Sequence, residues 1–104
     1  MNVTADTMPL RRLLAGMDLK LPDVAVTDIA DDHRDAVAGG LFLACAGGAR
    51  HGLDFLPQAI DAGIRAVAWE PAPGVAAPSL PTTVTGIRVT GLRARLGVIA
   101  DRFF

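Results

Sequence analysis

The stretch that decides the fold runs from Leu41 to Trp69. It opens with Leu41-Phe42-Leu43-Ala44-Cys45-Ala46, passes through Gly47-Gly48-Ala49-Arg50-His51-Gly52, and closes on Arg65-Ala66-Val67-Ala68-Trp69. Six consecutive apolar residues bounded by glycines read as a buried strand rather than a helix. The glycine-rich segment then makes a loop. A helix is predicted after it, with Asp54 as its cap and Pro57 in its first turn, where a missing N–H costs nothing. Leu56, Ala59 and Ile60 would face the core, and Gly63 suits the position just past the helix end. Arg65 to Trp69 is a second apolar strand. Strand, loop, helix and strand make a βαβ unit, expected to be parallel and right-handed.

Reading outward, Leu10, Leu13, Leu14 and Met17 recur at helical spacing, which predicts a short helix capped by Thr7, with Pro9 in its first turn and Gly16 at its end. Val24 to Ile29 alternates apolar and polar residues and reads as a strand. Asp31-Asp32-His33-Arg34-Asp35 is a charged loop, and Gly39-Gly40 a turn. Pro71 to Pro81 holds four of the seven prolines and reads as an extended surface connection. Val84 to Val89 is a further strand. A last helix carries the apolar stripe Leu92, Leu96, Ile99 and Phe103. The expected class is α/β: a small mixed sheet of about four to five strands with two to three packed helices.

The chain has 104 residues, a length that suits one domain, and 51% are hydrophobic, enough to build a core. The 10 Lys+Arg balance 11 Asp+Glu, so there is no basic stripe of the kind that binds nucleic acid. One cysteine forms no internal disulfide. No apolar run approaches the roughly 20 residues of a membrane span, and Met1 to Leu10 has no signal-peptide pattern, so the expected compartment is the cytoplasm. The abrupt ending at Phe103-Phe104 leads us to expect a piece of a longer protein.

Several residues invite a chemical reading. Gly47 to Gly52 follows a strand and opens a helix, where free backbone N–H groups favour anions, and Arg50 and His51 add positive charge. It is neither a Walker A loop nor a G-x-G-x-x-G fingerprint, and an ordinary strand-to-helix turn explains its glycines as well. His33 and His51 lack partners at zinc-ligand spacing. Asp31, Asp32 and Asp35 lack the pattern of a calcium loop and read as a solvated acidic turn, within which Arg34 pairs with Asp32 or holds a neighbouring carbonyl. Cys45 reads as an inert buried thiol and Trp69 as core or rim packing. The arginines of the last helix read as a solvated face. No metal site is expected.

The order of these pieces resembles the MurE-type Mur ligases. Asp32-His33-Arg34, five residues, then Gly40-Leu41-Phe42-Leu43-Ala44 is similar to that family's D-S-R … G-D-L/A-F-V-A signature. Gly47 to Gly52 is similar to its glycine loop, Phe55-Leu56-Pro57-Gln58-Ala59-Ile60-Asp61-Ala62-Gly63 to F-I-x-x-A-I-x-x-G-A, and Arg65 to Glu70 to the strand A-A-V-I-A-E. Leu96-Gly97-Val98-Ile99-Ala100-Asp101-Arg102-Phe103-Phe104 is similar to L-x-x-L-A-x-R-F-Y, which in the family precedes the ATP-binding domain. The resemblance spans nearly the whole chain.

The resemblance implies an N-terminal domain, residues 1–104, that holds the UDP end of UDP-MurNAc-L-Ala-D-Glu in a cytoplasmic enzyme of peptidoglycan synthesis. That enzyme uses ATP and Mg²⁺ to add meso-diaminopimelate or L-lysine. It implies that the ATP-binding and C-terminal ligase domains lie outside this chain, that the central domain is its partner, that it binds no cofactor itself, and that alone it is inactive. It assigns the uridine contacts to Asp31, His33, Gly48, Ala49 and Arg50, framed by Asp32, Arg34, Gly47 and Gly52. Two positions depart from the pattern: His33 stands where the family has serine, and Gly40 where it has aspartate. The rival readings are the equivalent domain of a MurF-type ligase, and a stand-alone interaction module that has lost nucleotide binding.

Overall fold

The structure is a computed structural model that describes residues 7–17, 20–47 and 50–104. Four strands form a parallel sheet in chain order: β3 (Ile29–Ala30), β4 (Leu41–Ala44), β5 (Ala66–Trp69) and β6 (Thr85–Arg88). Leu41 pairs with Ala66 and Ala44 with Trp69, and Ala66 in turn pairs with Thr85. The Leu41–Trp69 stretch is therefore the parallel βαβ unit its apolar runs predicted. Ahead of it, β1 (Met8–Pro9) and β2 (Ala25–Val26) form a separate antiparallel pair. The mixture of parallel and antiparallel strands thus falls into two sheets.

Both faces of the parallel sheet are covered, which is why β4 and β5 are apolar without alternation. Leu41, Leu43, Ala66, Ala68 and Ile87 face one core with Leu10, Leu13, Leu14, Leu92 and Ile99. Leu10 and Leu13 come from helix α1 (Leu10–Leu13), Leu14 caps its end, and Leu92 and Ile99 come from helix α3 (Leu92–Phe103). Phe42, Ala44, Val67 and Trp69 face a second core with Leu56, Ala59 and Ile64, built on helix α2 (Leu56–Asp61). The period of two along each strand divides its side chains between these cores.

Local chemistry moved several boundaries. Pro9 belongs to β1 and takes the cap position of α1, where Thr7 was expected. The helix makes one turn, yet Leu10, Leu13 and Leu14 are all buried, and Gly16 turns the chain at φ 81°. The Val24–Ile29 segment is split between two sheets, ending β2 at Val26 and starting β3 at Ile29. Gly52–Phe55 forms a 3₁₀ turn before α2, and its cap is His51; Asp54 completes the capping box by accepting from the His51 N–H. The charged Asp31–Asp35 segment contains a short 3₁₀ turn, His33–Asp35. Gly63 has φ 93°, as expected of a helix-ending glycine, and its carbonyl accepts from Gly39 N–H at 2.9 Å.

The arginines of α3 are not all a solvated face. Arg102 donates to the carbonyls of Leu13 (3.0 Å) and Ala15 (2.7 Å), tying the end of α3 to the end of α1. Phe103 packs on the first core, while Phe104 is 86% exposed. Among the described residues no helix is long and apolar enough to cross a membrane.

Candidate functional site

Parallel strands deliver their carboxyl ends to one edge of a sheet, and loops at that edge line the usual ligand crevice of open α/β folds. Here β3 hands over to Asp31, β4 to Cys45 and β5 to Glu70. A helix that follows a strand of such a sheet starts at the same edge, so the first turn of α3 brings Arg93 and then Leu96 to it. These segments surround an open cleft of about 630 Å³.

Six of the residues assigned from the resemblance line this cleft: Asp31, Asp32, His33, Arg34, Arg50 and Gly52. Gly47 lies at the base of the glycine loop, where an added Cβ would run into the carbonyl oxygen of Arg50. Gly48 and Ala49 lie outside the described residues. The sequence reading did not put Phe42, Phe55, Arg93 or Leu96 in the site, yet all four line it. Arg93 and Leu96 were legible only from the topology, because helix periodicity does not say which edge of a sheet a helix begins at.

Asp32 organises the first wall. Its Oδ1 accepts from Arg34 N–H (2.9 Å) and Arg34 Nε (3.1 Å), and its Oδ2 from Arg34 Nη2 (2.6 Å). Those bonds hold its carboxyl below the usual carboxylate range. The pairing that Asp32 and Arg34 invited is thus present. His33, held in the turn that Asp32 caps, lies flat on Phe55, with ring centroids 4.5 Å apart and planes 6° from parallel.

The glycine loop is anchored at both ends. Ala46 pairs with His51 as an isolated antiparallel bridge, and Gly52 N–H donates to the Cys45 carbonyl at 2.9 Å. His51 Nδ1 accepts from Leu53 N–H (3.0 Å). Its proton therefore sits on Nε2, which donates to the Glu70 carbonyl at 2.7 Å. Glu70 Oε1 accepts from Ala46 N–H at 2.7 Å, and Arg93 Nη1 donates to the Ala46 carbonyl at 3.1 Å. His51 and Glu70 thus shape the loop, and Arg50 beside them is its cation, with the guanidinium carbon 5.2 Å from the Phe55 ring centroid.

Cys45 is half-buried on the cleft wall. Burial, reinforced by Glu70 and Asp31, pushes its thiol up to about 11. It is a neutral thiol at physiological pH, as its apolar setting predicted. Among the described residues no group of three or more His, Cys, Asp or Glu is placed to hold a metal ion. The chemistry on offer is recognition: three arginines, one of them paired with Asp32, and an aromatic pair around an open cleft.

Residues 29–104 match the Mur ligase family, catalytic domain. Over 98 residues the chain is 46% identical to the UDP-N-acetylmuramoyl-L-alanyl-D-glutamate–2,6-diaminopimelate ligase of Xanthomonas oryzae pv. oryzae strain MAFF 311018, covering 93% of this chain and 19% of that protein. It is 41% identical over 97 residues to the ligase of the same name from Xylella fastidiosa strain 9a5c, covering 93% and 19%. The chain thus spans about a fifth of the length of these curated relatives. Among solved structures, MurF from Acinetobacter baumannii superposes with a TM-score of 0.68 at 19% identity, covering 92% of this chain and 21% of MurF, a likeness of fold alone. With its motifs in order along the chain and their residues gathered at one edge of the sheet, this chain belongs to the Mur ligase family.

Proposed function

We propose that this chain is the substrate-docking domain of a diaminopimelate-adding ligase, and that its cleft holds the uridine diphosphate end of UDP-MurNAc-L-Ala-D-Glu. The observation that carries the reading is the convergence of Asp31, His33 and Arg50, drawn from separate segments of the chain, on one open cleft at the carboxyl edge of the sheet. Arg50 and Arg93 supply positive charge for a diphosphate. Identity above 40% to 2,6-diaminopimelate ligases favours that amino acid over lysine, and favours the MurE type over the MurF type.

The domain's task is positioning. Anchoring the remote nucleotide spends binding energy on aligning the reactive end of the substrate, which lowers the entropic cost of the reaction elsewhere. The described residues do not fit Mg·ATP. The glycine loop lacks the Lys-Ser/Thr pair of a phosphate-cradling loop, and among the described residues no group of three or more His, Cys, Asp or Glu is placed to hold an ion. ATP and Mg²⁺ chemistry, the amide bond and the choice of amino acid are assigned to ATP-binding and C-terminal domains beyond residues 1–104. The enzyme so assembled works in the cytoplasm in peptidoglycan synthesis.

The test is a titration of the ¹⁵N-labelled chain with UDP-MurNAc-L-Ala-D-Glu, followed by two-dimensional amide NMR with ATP as control. Saturable shifts at His33 and at 48–50, with none from ATP, are expected. Absence of shifts at millimolar ligand would overturn the reading in favour of an interaction module that has lost the nucleotide.

A further inference from the structure

Glu70 is engaged at every polar group it has. Its N–H donates to the Ala44 carbonyl (2.9 Å), and its own carbonyl accepts from His51 Nε2 (2.7 Å). In the side chain, Oε1 accepts from Ala46 N–H (2.7 Å) and Oε2 from Arg93 N–H (3.4 Å). The end of β4, both ends of the glycine loop and the first turn of α3 therefore meet on one residue. The bond to Arg93 serves a helix whose own cap residue, Gly91, has no side chain to offer. Arg93 in turn grips Ala46 from the other side, its Nη1 donating to the Ala46 carbonyl at 3.1 Å. Glu70 is not among the residues that line the cleft, whereas Arg50, His51 and Arg93 are.

Resting on the docking reading above, we propose that Glu70 is a positioning residue: acting through Ala46 and Arg93, its carboxylate holds the glycine loop in the one arrangement that presents Arg50 to the ligand. Arg50 follows Ala46 because the base of the loop is closed. Ala46 is bridged to His51, and Gly47 lies so close to the Arg50 carbonyl oxygen that an added Cβ would run into it. A loop released from its anchor spends part of its time in other arrangements, and apparent affinity falls by the fraction of time so lost. What the loop needs from Glu70 is an acceptor at the right reach. The negative charge itself offers an anionic ligand no attraction.

The experiment titrates the 104-residue chain and its Glu70→Gln, Glu70→Asp and Glu70→Ala variants with UDP-MurNAc-L-Ala-D-Glu by calorimetry. Arg102→Met, altered at the other end of α3, is the control for a general loss of stability. Glu70→Gln keeps the reach and an acceptor oxygen for Ala46 N–H, and is expected to bind within about threefold of the parent. Glu70→Asp keeps the charge but is one methylene short, and Glu70→Ala keeps neither. Both should bind more weakly by about tenfold. Arg102→Met should bind as the parent does. A charge acting directly on the ligand predicts the reverse order, with Glu70→Gln tighter than the parent and Glu70→Asp equal to it. That order, parent affinity in Glu70→Ala, or an equal loss in Arg102→Met would overturn the positioning role and leave the docking reading intact. Should Glu70→Ala not fold, the contrast between Gln and Asp decides alone. If the parent does not bind the ligand, the docking reading fails and this proposal with it.

Discussion

His51 reaches across the cleft edge to Glu70: its Nε2 lies 2.7 Å from the Glu70 backbone carbonyl oxygen, while its Nδ1 caps the 3₁₀ turn through Leu53 N–H. One neutral imidazole thereby joins the glycine loop to the end of β5 and starts the segment leading into α2. The residue that looked like a loop cation is a structural strut, while Arg50 beside it lies over the Phe55 ring on the cleft wall.

Removing that strut should be measurable. His51→Ala loses both the cap and the tether and is expected to cost about 1–3 kcal/mol in denaturant unfolding. His51→Asn, which retains a capping side chain but cannot span to Glu70, should recover roughly 1 kcal/mol of that loss. Equal losses in the two variants would show that the tether, and not the cap, carries the effect.

Two glycines should respond oppositely to alanine. At Gly52 an added Cβ would stand 2.7 Å from Ala44 Cα and 2.9 Å from Cys45 N, both backbone atoms that cannot step aside. Gly52→Ala is therefore expected to destabilise by about 1–3 kcal/mol. Gly97 sits inside α3 with nothing within 4 Å of the same position. Gly97→Ala should stabilise by about 0.5–1 kcal/mol. Thermal unfolding of the two variants checks both signs.

Cys45 should be a slow nucleophile at neutral pH. Its thiol is pushed from an ordinary 9.0 to about 11, so alkylation by iodoacetamide should keep accelerating above pH 9, where an ordinary thiol levels off. Because the folded value lies above the unfolded one, its contribution to stability is fully present below pH 9.0 and is lost as pH rises through about 11. Cys45→Ala should remove that alkaline loss. A rate plateau near pH 9 would contradict the desolvated setting.

Arg102 couples the two ends of the first core. Arg102→Met keeps an apolar stem but leaves the carbonyls of Leu13 and Ala15 without this donor. The expected loss is about 1–3 kcal/mol, with faster hydrogen exchange in α1 than in β4 or β5. Uniform acceleration across all elements would show that α1 is not a separate unit of opening.

Much of the fold was legible because its signals are local. Continuous apolar runs bounded by glycine marked β4 and β5, and the spacing of Leu92, Leu96, Ile99 and Phe103 marked α3. The least legible part was Val24–Ile29, where alternation is satisfied equally by one strand or by two that part company after Val26. The one-turn length of α1 was hidden as well, since Leu10, Leu13 and Leu14 reach the core from a single turn. The candidate site was legible from the order of motifs in the Asp31–Arg34 and Gly47–Gly52 segments. Phe55 and Arg93 were not, because a lone aromatic or arginine carries no positional signal until the chain is folded.

The sequence by itself determined the α/β class, the parallel βαβ unit and the family, because apolar periodicity, turn glycines and motif order are written along the chain. Only the tertiary structure decided which residues meet. It laid His33 on Phe55, tied the His51 ring to the Glu70 carbonyl, and brought Arg93 to the carboxyl edge beside Glu70. Those pairings span sequence gaps of about twenty residues, and no local preference encodes them. They follow from the parallel strand order, which places the ends of β3, β4 and β5 and the start of α3 at one edge of the sheet.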